Sequence, residues 1–367
     1  MHLHIGSRRL LHVGAFAMSC AAATVAVSQQ EGAASLPDLR TLPMVKVTYD
    51  SAHERLTVEF PPEDLPAVED RRMMYMRTLS PHQAIIPVSG TIYSIRTQMV
   101  DSAGRVLPRA LLHHVNLTDP THRELFLPIS LHLFAASRET PPVDIPRLIL
   151  GVPLDKGQRL LLTAMVANDR RVAYRGARIQ VILGFRPTGR VFPLWRAYPW
   201  VVDAMYPLGT GPSRSKAFDL PPGHSVKSWE GSPAIAGYVL GVGGHVHDYA
   251  TSVDFTDIST GAVIWHGVPD HDSAGRILLL PVSRFYNWHR LGVRIVPSNR
   301  YRISVTYENP TGQVLHDGGM GAVAGLFVPD QSTPWPSIDT ASVFYRKDLA
   351  ATFTPGTMMM AGMHDEQ

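Results

Sequence analysis

The sequence predicts an all-β protein built from two antiparallel, jelly-roll-like β-sandwich domains. Thirty prolines and 29 glycines in 367 residues supply many turn-forming positions. Between them, short runs alternate apolar and polar residues at a period of two, the pattern of a strand with one buried face. No stretch has the long 3.6-residue period of a helical domain. Many short strands separated by turns are typical of antiparallel sandwiches.

The first sandwich is predicted over residues 45–190. It begins with a hairpin, because the alternating runs 45–49 and 56–60 flank a polar turn and two prolines follow them. Residues 71–76 fit either a short helix or a strand. Further strands are predicted over 91–100, 105–117, 160–168 and 177–185, and residues 125–134 are largely apolar.

The second sandwich is predicted over residues 234–335. Residues 191–233 are rich in Pro, Gly, Trp and Ser, which indicates a linker between the two domains. The alternating pattern resumes after this linker, with turn residues between the runs. Strands of the second sandwich are predicted over 236–242, 245–255, 262–266, 277–282, 301–307 and 322–328.

The N-terminus is predicted to be a signal peptide over residues 1–28, followed by a flexible leader over 29–44. Arg8 and Arg9 precede a mostly apolar stretch that ends in a small-residue cleavage site. We therefore expect a secreted or periplasmic protein, exported by a general secretory, twin-arginine or lipoprotein route. Cys20 is the single cysteine and would leave with the signal, so the mature chain would have neither disulfides nor thiolate ligands. Residues 336–367 are predicted to be a loop-rich tail.

The charge pattern argues against nucleic-acid binding, because the formal net charge is only +3 and the Lys and Arg residues are scattered. The apolar stretch near the N-terminus is interrupted by His12 and Ser19, which makes it marginal for a membrane span and leaves a retained anchor as the alternative to export. No stable membrane insertion is expected once the signal is removed. The sequence contains no P-loop and no convincing nucleophile elbow. Its 17 histidines and 14 methionines are the side chains that point to metal chemistry.

The most informative motif is His245-Val246-His247. On a strand this spacing puts both imidazoles on one face, because side chains alternate. Met320 would bring a thioether from a distant strand, and imidazole with thioether favours copper, particularly Cu(I). The alternatives are two surface histidines and a methionine that fills core space.

A second pair, His113-His114, lies on a predicted strand of the first sandwich. On a regular strand these neighbours point to opposite faces, which predicts one core and one surface histidine. The two side chains bind one metal ion only if the strand bulges or twists, or if the ion lies at the strand's end.

Taken together, the order His-His, His-x-His and Met resembles the copper type II, ascorbate-dependent monooxygenases, the peptidylglycine α-hydroxylating monooxygenase group. The spacing is also similar, since positions 114 and 245 are 131 apart and positions 247 and 320 are 73 apart. The resemblance covers residues 91–330 and implies two β-sandwiches across a solvent-filled cleft. It implies an electron-transfer copper at His113 and His114. It also implies an O2-binding, hydroxylating copper at His245, His247 and Met320.

The chain departs from this family at two places. Residues 164–168 match the stretch that supplies a third histidine to the electron-transfer copper, and they contain Met165 but no histidine. Either Met165 or a histidine such as His132 substitutes, or the first site is weakened or lost. The residues that hold a peptide carboxylate in the family are not apparent, since Gly243 and Ala324 stand near the metal motif instead. A glycine-extended peptide is therefore not supported as the substrate.

Three hypotheses follow from the sequence. The first is an exported copper monooxygenase with up to two copper ions, ascorbate or a similar reductant, and a small-molecule or peptide substrate. The second is a non-catalytic copper-binding protein with a degenerate first site. The third is a β-sandwich interaction module whose histidines are incidental.

Overall fold

The computed structural model describes residues 38–70, 73–137, 142–189, 193–206, 217–272, 276–287, 289–330 and 333–353, and the backbone of 356–361. The predicted signal peptide and most of the predicted leader lie outside these residues. Residues 36–367 form one compact unit. Among the described residues, no helix is both long enough and apolar enough to cross a membrane.

The first sandwich is formed by strands from the N-terminal half of the chain, together with one strand from the C-terminus. Single turns of 3-10 helix lie at Leu39–Thr41 and Arg109–Leu111. The strands of the N-terminal half are β1 (Lys46–Asp50), β2 (Arg55–Glu59), β3 (Glu63–Leu65), β4 (Met73–Thr78), β5 (His82–Ile85), β6 (Gly90–Val100), β7 (Leu112–Arg123), β8 (Ser130–Ser137), β9 (Val143–Asp144), β10 (Leu150–Leu154), β11 (Arg159–Asn168), β12 (Tyr174–Pro187) and β13 (Trp195–Arg196).

Two sheets make up this sandwich. One has the strand order β1-β2-β12-β6-β10-β13, and the other contains β4-β11-β7-β8, with β5 also paired to β11. The described strand pairs of these sheets are antiparallel apart from β10 and β13, which are parallel. The inner faces meet in one apolar core, to which Val58 and Val181 contribute from the first sheet and Val115 and Val166 from the second.

The second sandwich uses strands from the C-terminal half. These are β14 (Tyr198–Asp203), β15 (Phe218–Leu220), β16 (Gly223–Gly231), β17 (Gly237–Val246), β18 (Ala250–Asp257), β19 (Ala262–Gly267), β20 (Asp270–His271), β21 (Ile277–Leu279), β22 (Ser283–Arg284), β23 (Val293–Ile295), β24 (Tyr301–Asn309), β25 (Leu315–Gly319) and β26 (Gly321–Pro329). Its larger sheets have the orders β14-β26-β17-β22 and β16-β24-β18-β19. Val239 and Val323 from one sheet and Val253 and Ile303 from the other are buried in the core. This architecture confirms the predicted all-β class and its antiparallel β-sandwiches.

The predicted linker at 191–233 differs from the structure over its described length. It contains β14 and β16, which are end strands of the two main sheets of the second sandwich. Trp200, Val202 and Leu220 within it are fully buried, so this segment belongs to a folded core. Its Pro and Gly content reflects the turns between short strands, which is the same signal that a linker gives.

The connection between β7 and β8 joins the two sandwiches. Phe126 in this connection packs its ring against Trp200 at 5.5 Å and Phe255 at 5.9 Å between ring centroids. Glu124 is completely buried, and its Oε2 accepts the backbone N–H of Val201 at 3.1 Å. The two sandwiches therefore share a continuous core at this connection.

The segment predicted as a loop-rich tail, 336–367, returns to the first sandwich. It contains α1 (Val343–Thr352) and β27 (Gly356–Ala361), and β27 pairs with β4 at the edge of the sheet that holds β7. Tyr345 and Leu349 on α1 are buried and pack against Leu161 on the outer face of β11. Tyr345 and Leu349 are separated by four positions, which is a single helical repeat. A pattern this short does not predict a helix from the sequence.

Candidate functional site

The His-x-His motif lies at the C-terminal end of β17. Val246 between the two histidines is buried, whereas His245 is exposed and His247 is half-buried. Their ring centroids are 5.4 Å apart and the ring planes are almost perpendicular. The alternation of the strand therefore places both imidazoles side by side, as the spacing predicts.

Met320 lies next to His247, across the ladder between β17 and β26. The last pair of this ladder joins Val246 to Gly321, so that Met320 and His247 are the next residues on each side. The hydroxyl of Tyr307 accepts the backbone N–H of His247 at 3.1 Å and that of Met320 at 2.9 Å. The same hydroxyl donates to the carbonyl oxygen of Met320. One phenol group therefore holds the imidazole strand and the thioether strand together.

Tyr307 is the residue of this site that the sequence analysis did not single out. Its side chain is fully buried, and burial raises the pKa of its hydroxyl, as do the nearby carboxylates of Asp248 and Asp203. The hydroxyl therefore stays protonated at neutral pH and keeps its donor bond. The sequence does indicate that Tyr307 has a hydrogen-bond partner, because it lies among the alternating buried residues of β24 and a buried tyrosine hydroxyl needs one.

The glycines before the motif make room for a neighbouring segment. β22 pairs with β17 at Gly241 and Val242, and the residues before β22 continue past the next two glycines. A Cβ on Gly243 would lie 3.0 Å from the side chain of Val282, and a Cβ on Gly244 would lie 2.5 Å from the carbonyl oxygen of Ala322. Small residues at these positions therefore allow close strand packing directly beside His245.

The first histidine pair lies in a β-bulge at the start of β7. In the ladder with β11, His114 is opposite Met165 while Leu112 is opposite Val166, so His113 is an extra residue. A bulge sets two residues against one on the partner strand, which brings the side chains of neighbours closer together than in a regular strand. The ring centroids of His113 and His114 are 4.2 Å apart. His113 is half-buried and His114 is exposed, on a bulge rather than on the regular strand that predicts one core and one surface histidine.

The structure distinguishes the two substitutes considered for the missing third histidine. Met165 is the direct cross-strand partner of His114. His132 lies farther along β8, where it pairs with Thr118, and its Nδ1 is 3.0 Å from the buried carboxylate of Glu124. Of the two candidates, Met165, within residues 164–168, is therefore the one that lies beside His113 and His114.

The ring spacing of the second histidine pair suits one metal ion, whereas that of the first pair is slightly too short. Two imidazoles that bind one ion at about 2.1 Å, with about 90 to 110° between the two bonds, hold their ring centres roughly 4.5 to 5.5 Å apart. The ring centroids of His245 and His247 are 5.4 Å apart, and those of His113 and His114 are 4.2 Å apart. Within the part of the chain that the structure describes, no three His, Cys, Asp or Glu residues are grouped so that they could hold a metal ion. The methionines that lie beside the two pairs are Met165, paired with His114, and Met320, next to His247.

Three further histidines pair with carboxylates away from the two histidine pairs. His122 bonds to Asp119, His266 to Asp254 and His316 to Asp219, at 2.6, 2.6 and 3.1 Å between the bonded atoms. Met363 and His364 lie outside the described residues.

No protein-family model matches this chain, and no curated protein matches it. Among solved structures, the major capsid protein P2 from bacteriophage PM2 has a TM-score of 0.35 at 10% identity, over 76% of this chain and 100% of that chain. Infectious bursal disease virus, Gx strain, has a TM-score of 0.22 at 12% identity, over 83% and 77%. A Parabacteroides distasonis protein described as secreted has a TM-score of 0.16 at 9% identity, over 78% and 93%. Similarities this low carry no argument about function.

Proposed function

We propose that this chain is an exported copper protein whose ion is held by His245, His247 and Met320. The observation that carries the proposal is the Tyr307 hydroxyl, which bonds to the backbones of both His247 and Met320. It supports a preorganised set of two imidazoles and one thioether. Such a set favours Cu(I) over harder ions. Copper bound there would supply one-electron redox chemistry.

The test is a Cu(I) titration of the full-length protein against a competing Cu(I) chelator. We expect Met320→Leu and His245→Ala to weaken the site by at least about 10-fold, because each removes a ligand. His266→Ala is the matched control, since His266 is an exposed histidine of the same sandwich that pairs with Asp254. A protein that binds no copper, or an equal affinity in Met320→Leu and the control, would contradict the proposal and favour the interaction-module hypothesis.

A second candidate activity is copper-dependent monooxygenation, with His113 and His114 as an electron-entry site. The observation that favours it is the bulge in β7, which brings these two rings to 4.2 Å. The reaction would convert a C–H bond and O2, with two electrons and two protons, into an alcohol and water. Ascorbate or a similar reductant would supply the electrons, and the substrate would be a small molecule or a peptide.

Stoichiometry and oxygen consumption separate this activity from simple copper binding. Two copper ions per chain and ascorbate-dependent O2 uptake that both His113→Ala and His247→Ala abolish would support the monooxygenase. One copper ion per chain that is insensitive to His113→Ala, with no ascorbate-dependent O2 uptake, would instead support a non-catalytic binder.

A further inference from the structure

The end of β7 carries an aspartate–histidine pair that the proposed copper sites do not use. Asp119 is 1% exposed, and its Oδ2 accepts the Nδ1–H of His122 at 2.6 Å. The same carboxylate accepts the backbone N–H and the hydroxyl of Thr121 at 2.8 and 2.6 Å, and an amide N–H of Gln158 at 2.8 Å. Four donors therefore fix the position of this buried carboxylate.

The bond to Asp119 also decides which ring nitrogen of His122 can take part in chemistry. An ionised carboxylate only accepts hydrogen bonds, so Nδ1 carries the proton and Nε2 is left as the acceptor. The same bond raises the pKa of His122, against a smaller opposing effect of burial. Nε2 is therefore a stronger proton acceptor than that of an ordinary histidine. The side chain of His122 is 37% exposed, so a molecule from solvent can reach it.

A serine lies directly opposite this histidine. His122 and Ser337 form an isolated antiparallel bridge between β7 and the segment that follows β26. Backbone N–H to carbonyl bonds flank the bridge on both sides, at 3.1 Å from Arg123 to Pro336 and at 3.0 Å from Ile338 to Thr121. This arrangement makes His122 and Ser337 a non-hydrogen-bonded pair. Their side chains therefore lie on the same side, with Cβ atoms about 5 Å apart.

The segment that carries Ser337 is anchored firmly to the end of β7. Trp335 is 7% exposed, and its Nε1–H donates to the carbonyl oxygen of Arg123 at 2.9 Å. Its indole ring stacks on the ring of Tyr198, with 4.4 Å between the centroids. Ser337 itself is exposed, and its hydroxyl can rotate among three staggered positions. A fixed backbone thus holds a hydroxyl beside His122 where a substrate can reach it.

We propose that Asp119, His122 and Ser337 form a hydrolytic site for carboxylic esters, with Ser337 as the nucleophile. A serine, a histidine and an aspartate of this kind are identified by their geometry and roles, and not by their order in the sequence. His122 is the general base, and Asp119 is a positioning residue because it acts through the imidazole. The site uses neither histidine pair, and neither Met165 nor Met320, so it does not rest on the function proposed above.

The reaction requires only an ester and water. The hydroxyl oxygen of Ser337 bonds to the carbonyl carbon of the ester, and its proton passes to Nε2 of His122. The ester C–O bond then breaks as this proton passes to the departing alcohol, which leaves the acyl group on Ser337. Water attacks this acyl-serine in the same way, which releases a carboxylic acid and restores the hydroxyl. Esters are expected rather than amides, because an alcohol leaves more readily than an amine.

The test is hydrolysis of p-nitrophenyl acetate by the full chain, together with covalent labelling by a fluorophosphonate. We expect the label on Ser337, and we expect Ser337→Ala and His122→Gln to lower the catalysed rate by at least about 100-fold. Ser342→Ala is the matched control, because Ser342 lies in the same segment and its side chain makes no capping bond to α1. Absence of the label from Ser337, or equal rates in Ser337→Ala and the control, would overturn the proposal.

Two further measurements test the roles of His122 and Asp119 without relying on a loss of activity. Ser337→Cys should react with iodoacetamide at least about 10-fold faster than Ser342→Cys, and the additional change His122→Gln should remove this difference. Peptide mass spectrometry separates both thiols from Cys20. Nitrogen-15 spectra should show the proton of His122 on Nδ1 in the wild type and on either nitrogen in Asp119→Asn. Equal thiol reactivity, or an unchanged tautomer in Asp119→Asn, would contradict the proposal.

Discussion

The two histidine pairs bring their imidazoles together in different ways. At the end of β17 the alternation of side chains places His245 and the first residue beyond the strand, His247, on one face, with ring centroids 5.4 Å apart. On β7 an extra residue in the ladder brings the neighbours His113 and His114 to 4.2 Å. The first arrangement depends on the strand alone, whereas the second depends on the register of the partner strand β11. The spacing of a short histidine motif therefore does not by itself determine whether its side chains lie together. The pairing of its strand with the neighbouring strands also has to be known.

The neighbouring methionines are also positioned differently. Met320 lies just outside the ladder and is fixed through its backbone by the buried Tyr307. Met165 lies inside a ladder, where its pairing with His114 fixes it. The position of Met320 in the second sandwich thus depends on one hydroxyl group. The position of Met165 in the first sandwich depends on the register between β11 and β7.

The largest effect is expected from Tyr307→Phe, which removes the bond between the two strands of the second site. Three backbone groups of His247 and Met320 would lose their partner, at a cost of about 3 kcal/mol in the free energy of unfolding. Cu(I) affinity should fall as well, because the thioether is no longer held beside His247. Urea unfolding and the chelator titration measure the two effects.

Tyr301→Phe is the matched control for that change. Tyr301 is buried in the same strand, and its hydroxyl accepts the backbone N–H of Val296 at 3.0 Å, far from the histidines in sequence. We expect a loss of about 1 kcal/mol and an unchanged Cu(I) affinity. Equal effects of the two variants on Cu(I) binding would show that Tyr307 does not organise the site.

An intermediate effect is expected from alanine at the glycines beside His245. In Gly244→Ala the new Cβ would meet the Ala322 carbonyl oxygen at 2.5 Å, a rigid backbone contact that should cost about 2 kcal/mol. In Gly243→Ala the neighbour is the 77% exposed side chain of Val282, which can move away, so the loss should be below about 0.5 kcal/mol. Thermal unfolding of both variants measures the difference. A larger loss in Gly243→Ala would contradict the packing described for this segment.

The smallest effect concerns His122, a third histidine of β7, which is held by a carboxylate at the end of the strand opposite to the first pair. Burial of Asp119 disfavours its ionisation, but hydrogen bonds from His122 and Thr121 outweigh burial and lower the pKa of the carboxyl. The same bond to Asp119 raises the pKa of His122, against a smaller opposing effect of burial.

The signs of these shifts fix the pH range in which the pair is stabilising. The lowered pKa of Asp119 contributes stability above about pH 4 that is lost as the pH falls through the folded value. The raised pKa of His122 contributes stability below about pH 6.5 that is lost as the pH rises through its folded value. Asp119→Asn should therefore cost more at pH 6 than at pH 9. The difference should be at most about 1 kcal/mol, because His122 is 37% exposed.

Urea unfolding of wild type and Asp119→Asn at both pH values measures this difference, with His122→Gln as the control that lacks the titrating ring. A cost that does not change with pH would mean that the Asp119–His122 pair does not govern the pH response of β7. The response would then have to come from other groups, with the first histidine pair as the next to test.

The sequence supports the parts of this structure that depend on local patterns. The alternation of apolar and polar residues predicts the all-β class, and the spacing of His245 and His247 predicts their shared face. Met320 is predicted as their partner from residue chemistry and a family resemblance. Its placement beside His247 agrees with that prediction, while the presence of copper stays a prediction.

Features that depend on a distant partner were not predictable in this way. The bulge at His113 is defined by the register with β11, and the role of Tyr307 by two strands that meet at its hydroxyl. Trp200 lies in a Pro- and Gly-rich stretch that resembles a linker, but its burial is decided by contact with Phe126. The sequence of a single strand or turn does not predict contacts between residues that are far apart in the chain.

The return of the C-terminus to the first sandwich has a consequence for the order in which the molecule is assembled. Met76 and Met358 are opposite each other in the ladder between β4 and β27, although their positions are 282 apart. Because a chain is synthesised from its N-terminus, the sheet begun by β4 lacks this edge strand until β27 (Gly356–Ala361) has been made. An unpaired strand edge is prone to wrong pairing during that interval. The sandwich that is synthesised first is thus the one that is completed last.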